Sequence, residues 1–425
     1  MRIVIKNGRV VDPANKIDAV TNVYIADGRI VAVGNAFAGF TADKEIDATH
    51  QLVCPGLVDL SARLREPGYE HKATIASETR AAALSGITTL ACPPDTNPVI
   101  DTPAVIKLIR QRSERAGYSN VHCLGAASHD LKGELLSEMA ALKEAGCVGV
   151  SNALTPFKNP QIMKRIMEYA ATFDLTIFLF AEDPSLRNNG CMHEGAISTR
   201  LGLPGIPEAA ETVAVARDLA LIADTGVRAH FCRLSSARAA QMVAHAQQEG
   251  LPVTADVSAH QLYLTDMDVG EFDSQCHVRP PLRSQRDMQG LRAALAKGTI
   301  SAVCSDHQPH ENDAKLNPFR ETASGISALE TLLPLTLRLV DECNISLSDA
   351  IARVTSQPAH ILGIEAGTLS IGAAADVVVV DPKQYWSLTK ETMLSRGRNT
   401  PFIGWELKGR VQQTVINGVL VYSAE

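Results

Sequence analysis

The sequence predicts an α/β protein: a closed (β/α)8 barrel of the TIM type, with a small β-sandwich made by both ends of the chain. Three observations predict it. Strand-like and helix-like runs alternate from Leu52 to Cys304, which implies a parallel sheet wrapped by helices. Short strand-like runs gather at both termini. The chain has 425 residues, 45% apolar but only 4% aromatic, so one large aliphatic core plus a smaller module is affordable. An open, doubly wound sheet is the alternative arrangement.

The terminal runs come first. Ile3-Val-Ile5, Val10-Val11, Val23-Tyr-Ile25 and Ile30-Val-Ala-Val33 read as strands, with Asn7-Gly8 and Asp27-Gly28 as hairpin turns. Ala375–Asp381 and Val411–Tyr422 echo them at the other end, the second around Asn417-Gly418. One discontinuous sandwich, residues 1–53 with 366–425, is favoured over two unrelated appendages. The barrel then spans 54–365.

Its first strand is expected to enter through Leu52, Val53, Leu57 and Val58 and to end at the polar stretch Asp59–Arg65, closed by Pro67-Gly68. Period-2 spacing places Asp59, Ser61, Arg63 and Arg65 on one face. Further strands fall at 86–92, 121–125, 148–151, 175–180, 228–234, 253–256 and 300–304. Helices fall at 104–113, 135–145, from near Pro207 and from Ser235 or Ser236. In such a barrel the C-terminal strand ends face one pocket. They carry Ser61, Arg63 and Arg65; Pro93–Pro98 with Asp95; Ser151–Ala153; Phe180–Asp183; His230 and Arg233; His260; and Ser305–His310 with Asp306.

Net charge is −7, and no basic stripe or polybasic run points to nucleic acid or an anionic membrane. No secretory signal or uninterrupted run of 18 apolar residues is visible. Nine scattered cysteines without C-x-x-C pairs read as buried free thiols of a reducing cytoplasm. No Gly-x-Ser-x-Gly elbow is present.

Seven stretches together carry a resemblance: Pro55–Asp59, Leu64–Gly68, Gly86–Thr89, Ala181–Asp183, Pro280–Arg283, Ser305–His310 and Gly372–Val377. The chain resembles a dihydroorotase of the amidohydrolase superfamily over almost its whole length. The resemblance implies a distorted (β/α)8 barrel with a terminal β-sandwich. It implies a reaction in which divalent metal turns water into hydroxide, hydroxide attacks a cyclic amide, and an acid on the eighth strand shuttles the proton.

Position by position, the implied metal ligands fall on Ser61, Arg63, Asn152, Phe180 and Arg233; of six positions only the acid, Asp306, is kept. Zinc takes imidazole, thiolate or carboxylate, and a permanent guanidinium cation repels it. The substrate-side positions fall on Arg65, Asp95, Arg279 and His310. Asp95 replaces an amide, and a carboxylate there repels a substrate carboxylate. No zinc or other cofactor is therefore expected. Arg63 or Arg233 is expected to pair with Asp306, because a carboxylate buried alone is costly.

The pattern is similar to the non-catalytic, dihydroorotase-like chain that some bacteria associate with aspartate transcarbamoylase. It implies a scaffold in a homo- and hetero-oligomer of pyrimidine biosynthesis, with the aspartate transcarbamoylase catalytic chain as partner. Two alternatives stand beside it. One is a metal-dependent cyclic amidohydrolase with an unconventional site at Asp306, His260 or His310. The other is a binding protein whose Arg63, Arg65, Arg233 and Arg279 attract a small anion.

Overall fold

The computed structural model describes residues 1–34, 37 and 39–424. Residues 35, 36, 38 and 425 of the expected terminal unit lie outside it.

Among the described residues two eight-stranded sheets organise the chain. The terminal sheet contains β1 (Arg2–Asp12), β2 (Ile17–Ala26), β3 (Arg29–Gly34), β4 (Lys44–Asp47) and β5 (Leu52–Pro55). The barrel strands follow: β6 (Leu57–Asp59), β7 (Ile87–Cys92), β8 (Asn120–Ala126), β9 (Gly149–Ser151), β10 (Ile177–Leu179), β11 (Ala229–Phe231), β12 (Val253–Ser258) and β13 (Ala302–Cys304). The chain then returns to the terminal sheet as β14 (Val377–Ser387), β15 (Glu406–Ile416) and β16 (Val419–Ser423).

In the terminal sheet the order is β16-β15-β14-β5-β1-β2-β3, with β4 on β1. Strands from the two ends meet where β14 pairs antiparallel with β5, Val378 opposite Cys54. Ile3, Ile5, Val10, Val23 and Ile25 pack with Val53, Val377, Val379 and Val415 in one apolar cluster. The alternate residues Val11, Leu52, Cys54, Val378 and Val380 face the other way and pack into the barrel's core, so the middle of this sheet is buried on both faces.

Asn7-Gly8 is not a hairpin turn. β1 runs through it, and the register against β2 shifts between Ile5 and Gly8. Asn7 has φ 61°, which Asn tolerates better than most residues, so the pair forms a bulge. A side chain at Gly8 would overlap Val53 of the neighbouring strand. The two other pairs do turn: Asp27-Gly28 and Asn417-Gly418 have positive φ throughout and join strands by two residues.

The run from Leu52 to Asp59 is two strands rather than one. β5 belongs to the terminal sheet and β6 begins the barrel. The chain changes sheets at Gly56, whose N–H donates to Asp376 O at 2.9 Å. A methyl group there would overlap the buried Thr88 side chain.

The barrel sheet runs β6 to β13 in chain order, all parallel. Among the described residues it closes through one bridge between Ala62 and His307, where Arg63 N donates to His307 O at 2.9 Å and His307 N donates to Ser61 O at 3.1 Å. Helices lie between the strands, among them Ile75–Leu84, Pro103–Ala116, Ala209–Thr225 and Ala237–Gln248. Ser236 caps the last of these, its side chain accepting from Ala239 N. The expected helix at 135–145 is shorter, Met139–Glu144.

Residues 394–399, which the expected boundary assigns to the terminal unit, bond to the barrel instead. Leu394 and Ser395 N–H groups donate to Glu330, the Ser395 hydroxyl to Glu78, and Asn399 accepts from His310 N. The same Glu78 meets His307 Nε2 at 2.8 Å. The segment thereby braces the closing bridge from outside.

Gly56→Ala is expected to lower unfolding stability by about 1–3 kcal/mol through overpacking. Adding Thr88→Ala should recover part of it. Thermal melts of the two variants check this; equal midpoints for wild type and Gly56→Ala would contradict it.

Candidate functional site

The strand ends converge on Asp306, which directly follows β13 and Ser305. It is 1% exposed and has φ 48°. Arg65, Ala153 and Arg233 share this left-handed backbone, so four strand-end residues occupy a region that non-glycine residues populate sparsely.

Both expected arginine partners reach the carboxylate. Asp306 Oδ1 lies 3.4 Å from Arg63 Nη1 and 3.2 Å from Arg233 Nη1. Ser61 Oγ stands 3.4 Å from the same oxygen and accepts from Arg233 Nη1 at 2.9 Å. Gln308 Nε2 donates to Oδ2 at 3.1 Å. The two arginines are each 4% exposed. Burial alone would lower the Arg233 guanidinium, but Asp306 together with Cys232, Cys304 and Asp256 outweighs it, and the net shift is upward.

Asp95 does not stand apart as an isolated repulsive carboxylate. Its Oδ2 accepts from Arg63 Nε at 2.7 Å. Burial pushes that carboxyl up, Arg63 pushes it down, and the net shift is downward. Arg63 thus bridges two carboxylates, one on each side of the barrel seam.

Phe180 presents a π-surface to two cations. The Arg233 and Arg279 guanidinium carbons lie 5.1 and 5.3 Å from its ring centroid. Arg279 forks onto Glu182, Nε to Oε2 at 3.1 Å, and Arg187 Nε stands 3.1 Å from Glu182 Oε1. Glu182 sits inside the Ala181–Asp183 motif, yet no spacing in the sequence assigned it to Arg279.

Asn152 is engaged elsewhere. Its Oδ1 accepts from Ser128 Oγ at 2.6 Å, and its Nδ2 donates to Leu131 O and Thr155 O. The amide therefore organises the loop after β9. Arg65 donates to Pro309 O at 3.0 Å and meets His310 Nε2 at 3.1 Å. Burial, then Arg65 and Lys72, push His310 down to about 2, so its imidazole is neutral. Burial and Arg63 bring Arg65 down to about 10.

Beneath this layer Asp59 ties β6 to β13. It accepts from Ser305 N at 2.9 Å and from Ser61 N at 3.3 Å, and its other oxygen takes the Ser305 hydroxyl. Burial pushes its carboxyl up to about 6. His260 is wholly buried and neither ring nitrogen has a protein partner; burial brings it down to about 4. Arg63 Nη2 and Arg233 Nε are likewise unpartnered.

A parallel eight-stranded barrel with its polar side chains at the C-terminal strand ends, braced by a sheet from both termini, is an amidohydrolase-type architecture. Residues 50–239 match the family model described as Dihydro-orotase-like, and residues 312–422 match the Amidohydrolase family model. The "Dihydroorotase-like protein" of Pseudomonas putida is 50% identical over 425 residues, covering 100% of both chains. The "Dihydroorotase-like protein" of Pseudomonas aeruginosa is 49% identical, over 99% of this chain and 100% of its own. The "Dihydroorotase" of Syntrophotalea carbinolica is 45% identical, over 99% of each. The L-hydantoinase (dihydropyrimidinase) of Arthrobacter aurescens shares the fold, with a TM-score of 0.88 at 22% identity over 99% of this chain and 96% of that one. The chain belongs to the dihydroorotase-like family.

Asp306→Ala should destabilise the protein by about 3–5 kcal/mol, because two buried guanidinium groups lose their shared carboxylate. Urea unfolding followed by circular dichroism checks it. An unchanged midpoint would mean that the pairs contribute nothing.

Proposed function

We propose that the chain is a non-catalytic dihydroorotase-like subunit. Its role is to scaffold an assembly with the aspartate transcarbamoylase catalytic chain in the pyrimidine pathway of the cytoplasm. The observation that carries the reading is the double guanidinium contact on Asp306. In a working amidohydrolase this carboxylate must face metal and exchange a proton. Here both neighbouring groups are permanent cations that cannot be deprotonated into ligands.

The donor set does not fit a binuclear metal centre. Ser61 offers one neutral hydroxyl already bonded to Arg233. Asn152 uses both ends of its amide in its own loop. Phe180 has no donor atom. Arg63 and Arg233 occupy the space and supply the charge that cations would supply. The substrate side agrees with this, since Asp95 holds Arg63 where a substrate carboxylate would meet repulsion.

A fold freed of its chemistry can keep its outer surface as a docking platform. The partner is drawn from the family resemblance. Among the described residues no helix is long and apolar enough to cross a membrane.

A second reading keeps the reaction: a metal-dependent cyclic amidohydrolase using Asp306 with His260 or His310. Relatives such as the Geobacter sp. "Dihydroorotase", 42% identical over the full chain, favour it by name. His310, cornered between Arg65 and Lys72, is poorly placed to bind a further cation.

The purified chain, supplied with zinc, should neither hydrolyse dihydroorotate nor cyclise carbamoyl aspartate above background. Co-expressed with the aspartate transcarbamoylase catalytic chain, it should elute as one complex and raise that chain's activity. Zinc-dependent turnover abolished by Asp306→Ala would overturn the proposal.

A further inference from the structure

Below the arginine layer, three potential ligand atoms from two adjacent strands come together. They are a ring nitrogen of His230, Cys232 Sγ and a carboxylate oxygen of Asp256, none more than 4.8 Å from another. The strand register creates the group. β11 and β12 are parallel, with His230 opposite Thr254. Alternation then puts His230 and Cys232 on one face and carries Asp256 beside them.

Each of the two buried partners is oriented by a second contact. His230 Nδ1 lies 2.8 Å from Thr254 Oγ1, which directs Nε2 to Asp256 Oδ2 at 2.9 Å. The other Asp256 oxygen accepts the Arg233 backbone N–H. Metal-bound histidines and carboxylates are held by such outer bonds. His230 and Asp256 are 0% and 1% exposed, whereas Cys232 is only partly buried. The Phe178 ring, 5.3 Å from the imidazole, forms one wall.

A His–Asp hydrogen bond needs only a proton. A thiol within reach of both groups is a further donor that such a bond does not use. We propose that His230 Nε2, Cys232 Sγ and Asp256 form a mononuclear site for a borderline divalent metal of the zinc type. The mixed nitrogen, sulfur and oxygen set suits zinc rather than magnesium or calcium. Tetrahedral ligands at zinc distances stand roughly 3.3–3.7 Å apart, so the His–Asp pair opens slightly and the thiol closes in. Binding displaces the thiol proton to solvent, and the proton that His230 Nε2 shares with Asp256 moves to Nδ1, which then donates to Thr254 Oγ1. One thiolate and one carboxylate neutralise the ion, which leaves Arg233 paired with Asp306. The site is distinct from the expected ligand positions at Ser61, Arg63, Asn152, Phe180 and Arg233.

The reduced full-length protein, stripped with a chelator and loaded with one equivalent of cobalt, tests it. The expected result is stoichiometric retention with a sulfur-to-cobalt charge-transfer band, and displacement by zinc. Cys232→Ser should abolish the band, and Thr254→Val should weaken zinc binding about 10–100-fold. Circular dichroism of both variants confirms that they fold. No retained cobalt, or a band unchanged in Cys232→Ser, would overturn the site. These readouts are independent of turnover: zinc-dependent hydrolysis counts against the non-catalytic reading, and an unchanged cobalt spectrum counts against this one.

Discussion

A carboxylate at the end of the eighth strand, 1% exposed, costs several kcal/mol to bury alone. In this protein it is shared by two guanidinium groups from the first and sixth strands. The rest of the centre follows from that arrangement. Arg63 carries surplus charge and takes Asp95 as a second partner. Arg233 carries surplus planar surface and lies over Phe180, which Arg279 also touches. Arg279 in turn pairs with Glu182. Cations, carboxylates and one aromatic ring thus alternate across the barrel mouth.

The same contacts have a mechanical consequence. Among the described residues the chain just past β6 and the chain just past β13 meet at one backbone bridge, Ala62 to His307. Asp59 with Ser305 reinforces the seam below, Asp306 with Arg63 above, and Glu78 with His307 from outside. Side chains therefore complete a barrel that its ladder leaves nearly open. A site that binds and releases substrate needs freedom at such strand ends; a scaffold gains from cross-bracing them. Buried pairs of this kind stabilise less than their Coulomb energy suggests, but removing one partner is costly.

Much of this was legible in the sequence. Alternation gave the barrel, the turn pairs Asp27-Gly28 and Asn417-Gly418 gave the hairpins, and the residue types at Ser61, Arg63 and Arg233 gave the pairing with Asp306. Other features were not. Asn7-Gly8 reads the same in a bulge as in a hairpin, and only the pairing of β1 with β2 on both sides of it decides between them. Leu52–Asp59 reads as one apolar strand because both sheets bury it; Gly56 marks the break only once Thr88 is seen above it. Asp95 on Arg63, Glu182 on Arg279 and Asp256 on His230 are contacts between residues 32, 97 and 26 positions apart. No local pattern encodes such partners; they depend on barrel closure and strand register.

Anomalous diffraction at the zinc edge, from crystals grown with excess zinc, tests the central claim most directly. The account predicts Asp306 within hydrogen-bond distance of Arg63 and Arg233, with no anomalous peak on its carboxylate. A zinc peak at about 2.0–2.2 Å from Asp306, with the two arginines turned away, would contradict it.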